Sequence, residues 1–186
     1  DTLLFTEDIN DKMFDELLAT RGKIMPGKFR TKYLGSPLEK LLKALIEELQ
    51  LDMTLDELQE ETRAMSLKQY KEIPLKLMPG AERLVRHLHK HNIPMAIATS
   101  SFREEAIVKT TQPHLAEFFS LFSHIVTNDD VKHGKPSPDI YLKAASLFPA
   151  KPKPKDCLVF EDAINGLVAA KKANMQRVWT PQPFAV

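Results

Sequence analysis

Two adjacent carboxylates, Glu161 and Asp162, close the apolar run Cys157-Leu158-Val159-Phe160. Four apolar residues bounded by acids read as a short buried strand. A helix starts near Ile164, with Leu167, Val168 and Lys171 at helical spacing. In an open parallel sheet, ligands gather at the carboxyl ends of strands. Paired hard oxygens there suit Mg²⁺, which is commonly held by one or two carboxylates plus a substrate phosphate. Taken alone, the pair equally suits a helix cap. Two other strand ends carry polar groups. Thr99 follows Met95–Ala98, and a hydroxyl beside backbone N–H groups at a helix start can hold a phosphate oxygen. In isolation, an N-cap by Ser100 or Ser101 accounts for the same residues. Lys135 lies in His133-Gly-Lys-Pro-Ser-Pro-Asp139, a loop stiffened by proline, where an ammonium can neutralise phosphate charge. In isolation it is a surface lysine.

The elements that must position these groups follow from periodicity. Residues 1–7 read as the end of a strand running into a loop. In residues 8–21, Ile9, Met13, Phe14, Leu17 and Leu18 share one helical face, and Gly22 can end the helix. Residues 22–35 are basic and irregular. Ser36-Pro37-Leu38-Glu39 is a capping box with proline at the first helical position. It opens a stripe of Leu38, Leu41, Leu42, Leu45, Ile46 and Leu49. Thr54-Leu55-Asp56-Glu57 repeats the signal and opens a helix to about Tyr70. The expected division is therefore an all-helical unit, residues 8–77, inserted into a discontinuous α/β unit, residues 1–7 and 78–186.

Beyond Met78-Pro79-Gly80, strands and helices alternate. A helix with Leu84, Val85 and Leu88 precedes a strand at 93–98. A helix at 102–111 precedes a strand at 124–127. A helix from Ser137-Pro138 precedes the strand at 157–160, and a helix at 164–173 precedes a strand at 175–179. Such alternation predicts a Rossmann-like, doubly wound parallel sheet. The basic stretch Lys151–Lys155 reads as a solvated linker.

The 186-residue chain accommodates one ordinary domain with a small insert. Its hydrophobic content of 43% and charged content of 27% are those of a soluble globular protein. A net charge of +1 gives no electrostatic case for nucleic acid or an anionic membrane. The single cysteine, Cys157, excludes an internal disulfide framework and fits a reducing, cytoplasmic setting. His87, His89 and His91 do not suggest a metal site, because a spacing of two does not put them on one helical face.

The order hydroxyl, lysine, acid pair, each after a strand, together with the opening Asp-Thr-Leu-Leu-Phe-Thr-Glu, resembles the haloacid dehalogenase superfamily over nearly the whole chain. Leu-Met-Pro-Gly-Ala, Ile-Ala-Thr-Ser-Ser, His-Gly-Lys-Pro-Ser-Pro-Asp-Ile and Val-Phe-Glu-Asp-Ala-Ile-Asn-Gly resemble its pseudouridine-5′-phosphatase group. Plant-type FMN phosphatase domains look similar over the same segments. The resemblance implies a Rossmann-like core with a mobile helical cap. It also implies a reaction in which an aspartate attacks phosphate to form an aspartyl-phosphate, with Mg²⁺ as cofactor. A second aspartate, two residues on, acts as acid and base. By this resemblance Thr99, with Ser100 beside it, binds phosphate, Lys135 neutralises charge, and Asp162 with Glu161 holds Mg²⁺. Asp1 would match the acid/base aspartate.

The chain departs from the family's Asp-x-Asp-Gly-Thr-Leu-Leu motif. It opens Asp1-Thr2-Leu3-Leu4, without the apolar strand, the nucleophilic aspartate or the glycine. Loss of a central strand would leave an unpaired edge on each neighbour, at about 1–3 kcal/mol per buried unsatisfied group. Three readings follow: the sequence is part of a longer chain, another segment or subunit supplies the strand, or the protein is a non-catalytic derivative. The functional expectation is thus a Mg²⁺-dependent phosphatase of a small phosphorylated metabolite, such as pseudouridine 5′-phosphate. The alternatives are a phosphate-binding regulatory module without turnover and, third, a phosphomutase. The expected partners are that metabolite alone, with neither nucleic acid nor membrane, and the expected assembly is a monomer or weak dimer.

Overall fold

The computed structural model describes residues 2–33 and 38–181. It divides into two compact units, one of Thr6–Ile73 and one of Asp1–Phe5 with Pro74–Val186. Asp1, the candidate acid/base residue, and Ser36 and Pro37 of the Ser36–Glu39 capping box lie outside the described residues.

The first unit is helical: α1 (Glu7–Ala19), α2 (Phe29–Tyr33), α3 (Leu38–Leu49) and α4 (Leu55–Glu72). The face expected for α1 is the buried one, Ile9, Met13, Phe14, Leu17 and Leu18. It meets Leu42, Leu45 and Leu58 in a core closed by Phe29. Leu38, in the first turn of α3, is half exposed rather than part of the buried stripe. Gly22 takes a left-handed φ of +64° after α1, a conformation that glycine adopts without Cβ strain. At α4 the capping box is complete: the Glu57 amide donates to Thr54 Oγ1 at 3.3 Å and the Thr54 amide donates to Glu57 Oε2 at 2.7 Å. Tyr70 Oη donates to Asn10 Oδ1 at 2.5 Å, tying α4 to α1. The short helix α2 falls in a segment read from the sequence as irregular, since one turn and a half carries no measurable period.

The second unit contains β1 (Leu4–Phe5), β2 (Lys76–Leu77), α5 (Ala81–Lys90), β3 (Ala96–Ala98), α6 (Arg103–Thr110), α7 (Ala116–Phe119), β4 (His124–Val126), α8 (Asp139–Leu147), β5 (Leu158–Glu161), α9 (Ile164–Lys172) and β6 (Gln176–Trp179). β1 pairs antiparallel with β2, Leu4 opposite Leu77. β2 and α7 were not expected, each being too short to show a pattern. β3 pairs in parallel with β4, Ala98 opposite Val126, and β5 pairs in parallel with β6, Glu161 opposite Trp179. Alternating strands and helices with parallel pairs make this the α/β architecture read from the sequence. Among the described residues the two parallel pairs do not join each other. The core beneath them is shared: Val126, Val159, Ile140, Ala144, Ala145, Ala169 and Ala170 form one cluster, with Ala96 and Ala98 packed against it. Helix α8 therefore splints the pairs from below. Small residues at 144, 145, 169 and 170 let helix and strand backbones approach closely. Among the described residues no helix is long and apolar enough to cross a membrane.

Candidate phosphate site at the strand ends

Each candidate residue follows the strand that was expected to position it. The Thr99 amide extends the β3–β4 ladder by donating to Val126 O at 2.9 Å. Its Oγ1 accepts the Ser101 amide at 3.1 Å, so its O–H proton stays available to donate. Ser100 is exposed beside it.

Lys135 reaches back from the loop before α8, across a cis bond to Pro136. Its Nζ donates to Ala98 O at 3.1 Å and to Glu161 Oε2 at 2.9 Å. One side chain thus touches the carboxyl ends of β3 and β5. An ammonium has three donors, which leaves one for an anion. The ammonium also lies 5.0 Å from the centre of the Tyr141 ring, within the range of a cation–π attraction.

Glu161 is 6% exposed. Its Oε2 accepts from Lys135 and, at 2.5 Å, from Tyr141 Oη. Its Oε1 accepts the Ala163 amide at 3.3 Å. A buried carboxylate is tolerated only when paired and hydrogen-bonded, and here both oxygens have donors. Burial, then the negative charge and hydrogen bond of Glu161, push the Tyr141 phenol far above its usual range, so it remains a neutral donor. Tyr141 was not singled out in the sequence. Its one earlier signal was a polar tip on α8, near two candidate ions. Gly166 completes the site's wall: a Cβ there would lie 2.1 Å from Glu161 Cδ.

Asp162 is half-buried. Its Oδ1 accepts from Thr2 Oγ1 at 2.8 Å, which brings the first residues of the chain to the end of β5. Trp179 Nε1 donates to the Asp162 carbonyl at 3.1 Å and the Thr180 amide donates to the Glu161 carbonyl at 2.9 Å, pinning this strand end from β6.

Thr99, Lys135, Glu161 and Asp162 therefore share one edge of the second unit. Cys157 is half-buried against the core, and burial followed by Asp156 pushes its thiol up. His87 and His91 stack on each other, 4.5 Å between ring centres. Among the described residues no three acids, histidines or cysteines come together. The oxygen chemistry of Asp162 nevertheless fits Mg²⁺, which completes its shell largely with water and substrate phosphate.

An α/β unit with hydroxyl, ammonium and carboxylates at parallel strand ends defines a Rossmann-like protein. The chain belongs to the haloacid dehalogenase-like hydrolase family, whose model matches residues 1–180. A probable pseudouridine-5′-phosphatase of Drosophila melanogaster is 41% identical over 187 residues, which cover 97% of this chain and 78% of that protein. A (DL)-glycerol-3-phosphatase of Arabidopsis thaliana is 38% identical over 184 residues, covering 97% and 76%. Among solved structures, CbbY of Rhodobacter sphaeroides in complex with phosphate superposes with a TM-score of 0.81 at 22% identity, covering 99% of this chain and 84% of that one. At that identity the likeness shows the fold alone.

Proposed function

We propose that this chain is a Mg²⁺-dependent phosphomonoesterase of small phosphorylated metabolites, with pseudouridine 5′-phosphate the first substrate to try. The observation that carries the reading is the Lys135 ammonium bridging Ala98 O and Glu161 Oε2. It joins the carboxyl ends of β3 and β5, which Thr99 and Asp162 directly follow. Lys135 offsets the charge of a bound phosphoryl group, and Thr99 donates its hydroxyl proton to a phosphoryl oxygen. Glu161 and Tyr141 hold Lys135 in place. Asp162 would hold Mg²⁺, which when bound supplies charge neutralisation at the phosphate. Phosphoryl transfer needs such positioning and electrostatic stabilisation above all. Relatives named for pseudouridine 5′-phosphate and for glycerol 3-phosphate stand at similar identity, which supports a phosphatase more firmly than it supports either substrate.

The test is hydrolysis of p-nitrophenyl phosphate, pseudouridine 5′-phosphate and glycerol 3-phosphate with and without Mg²⁺. Turnover that survives Lys135→Ala and Asp162→Ala would defeat the assignment. A second reading of the same Lys135–Glu161 pocket is a module that binds phosphate without turning it over. Beryllofluoride capture, which requires an aspartyl nucleophile, separates the two. We further propose that the protein acts as a monomer or weak dimer in the cytoplasm, without nucleic acid or membrane partners. Sedimentation and fractionation test these points.

A further inference from the structure

We infer that Lys109 is a positioning residue of the phosphate subsite, acting through Ser101; the inference rests on the phosphate-binding reading above. Lys109 lies in the last turn of α6, yet its Nζ donates to Ser101 Oγ at 3.1 Å, eight residues back. Helical side chains lean toward the N-terminus, and this one follows the helix back to the turn that precedes it. A cation is normally favoured at a helix C-terminus and disfavoured toward the N-terminal end. Burial works against it too, pulling the ammonium below its usual range against the attraction of Glu105. The start of α6 already has carboxylates: Asp129 Oδ2 accepts the Arg103 amide at 2.6 Å, and Asp130 accepts from the Arg103 guanidinium.

What the ammonium gains is control of one turn. Ser101 is fixed on three sides: its Oγ accepts from Lys109, its amide donates to Thr99 Oγ1 at 3.1 Å, and its carbonyl accepts the Asn128 amide at 3.1 Å. Lys109 therefore sets Ser101, and Ser101 sets the Thr99 hydroxyl. With Lys135 at Ala98 O, two ammonium groups flank the carboxyl end of β3, one reached through each side of the turn.

The experiment measures binding of inorganic phosphate by calorimetry to the full chain, for wild type, Lys109→Met, Lys109→Arg, Ser101→Ala and the Lys109→Met/Ser101→Ala double variant. Lys109→Met is expected to raise the phosphate Kd about tenfold, the size of a lost hydrogen bond to a charged group. Lys109→Arg should restore most of it. Ser101→Ala should cost little more in the Met background than Lys109→Met alone. A wild-type Kd retained by Lys109→Met overturns the inference, and so does full additivity in the cycle. If Lys109→Met does not fold, Lys109→Arg and Ser101→Ala decide: wild-type affinity for phosphate in Ser101→Ala overturns it. Absence of phosphate binding by the wild-type chain, with and without Mg²⁺, is a different result and removes the phosphate-site reading itself.

Discussion

The two compact units are held together by opposite means. In the helical unit the deeply buried residues are Leu17, Leu18, Leu42, Leu45 and Leu58, all 1% exposed or less. In the α/β unit the apolar core is built on Ala144, Ala145, Ala169 and Ala170, and beside it lies a buried lysine–glutamate–tyrosine cluster. Removing two charges from water costs several kcal/mol per ion, and apolar residues of equal volume often stabilise as well or better. A unit selected for stability alone has no use for such a cluster. The contrast is one of charge: the α/β unit buries an ionic cluster, while the polar residues buried in the helical unit, Thr6, Thr62, Ser66 and Gln69, are uncharged.

The sharpest way to break this comparison is Glu161→Ala, which strands Lys135 and the Tyr141 hydroxyl. It should destabilise the chain by about 3–5 kcal/mol, read by urea denaturation, and abolish phosphate binding. A near-neutral result would make the two interiors equivalent. Leu45→Ala in the helical unit should cost about 2–5 kcal/mol, and the loss should be the same at low and high salt because no charge is involved. Tyr141→Phe keeps the ring beside Lys135 and removes one donor to Glu161, an expected loss of about 1–2 kcal/mol. Thr54→Ala removes the α4 cap and should cost about 1 kcal/mol. The smallest effect is in acid. The Thr127 amide, then the Thr127 hydroxyl and Arg103, hold the Asp130 carboxyl below its usual range, despite opposing desolvation. A carboxyl lowered by folding stabilises above its unfolded pKa and loses that contribution as pH falls through the folded value. Asp130→Asn should therefore flatten the stability profile of the α/β unit below about pH 4, measured as thermal midpoint against pH.

Much of this was legible in the residues. Thr99, Lys135 and Asp162 each follow a strand and Glu161 ends one, and the strands carry enough β-branched and apolar residues to show themselves. The capping box at Thr54–Glu57 and the five-residue face of α1 were equally plain. What escaped was either too short to have a period, as with β1–β2 pairing and α7, or too far apart in the chain to be connected. Tyr141 was not read as a site residue, because nothing local says that Glu161 sits 20 residues away within reach of its hydroxyl. Lys109 was not singled out either, since sequence gives the position of a side chain but not the direction it takes.

Gly166 has a further effect on the site. Helix α9 can settle on the Glu161 carboxylate only because its flank is bare at that one point. A methyl group there would act as a wedge, lifting the acid away from Lys135 and loosening the clasp that brings the ends of β3 and β5 together. The spacing between two strands is thus set by an atom the protein does without.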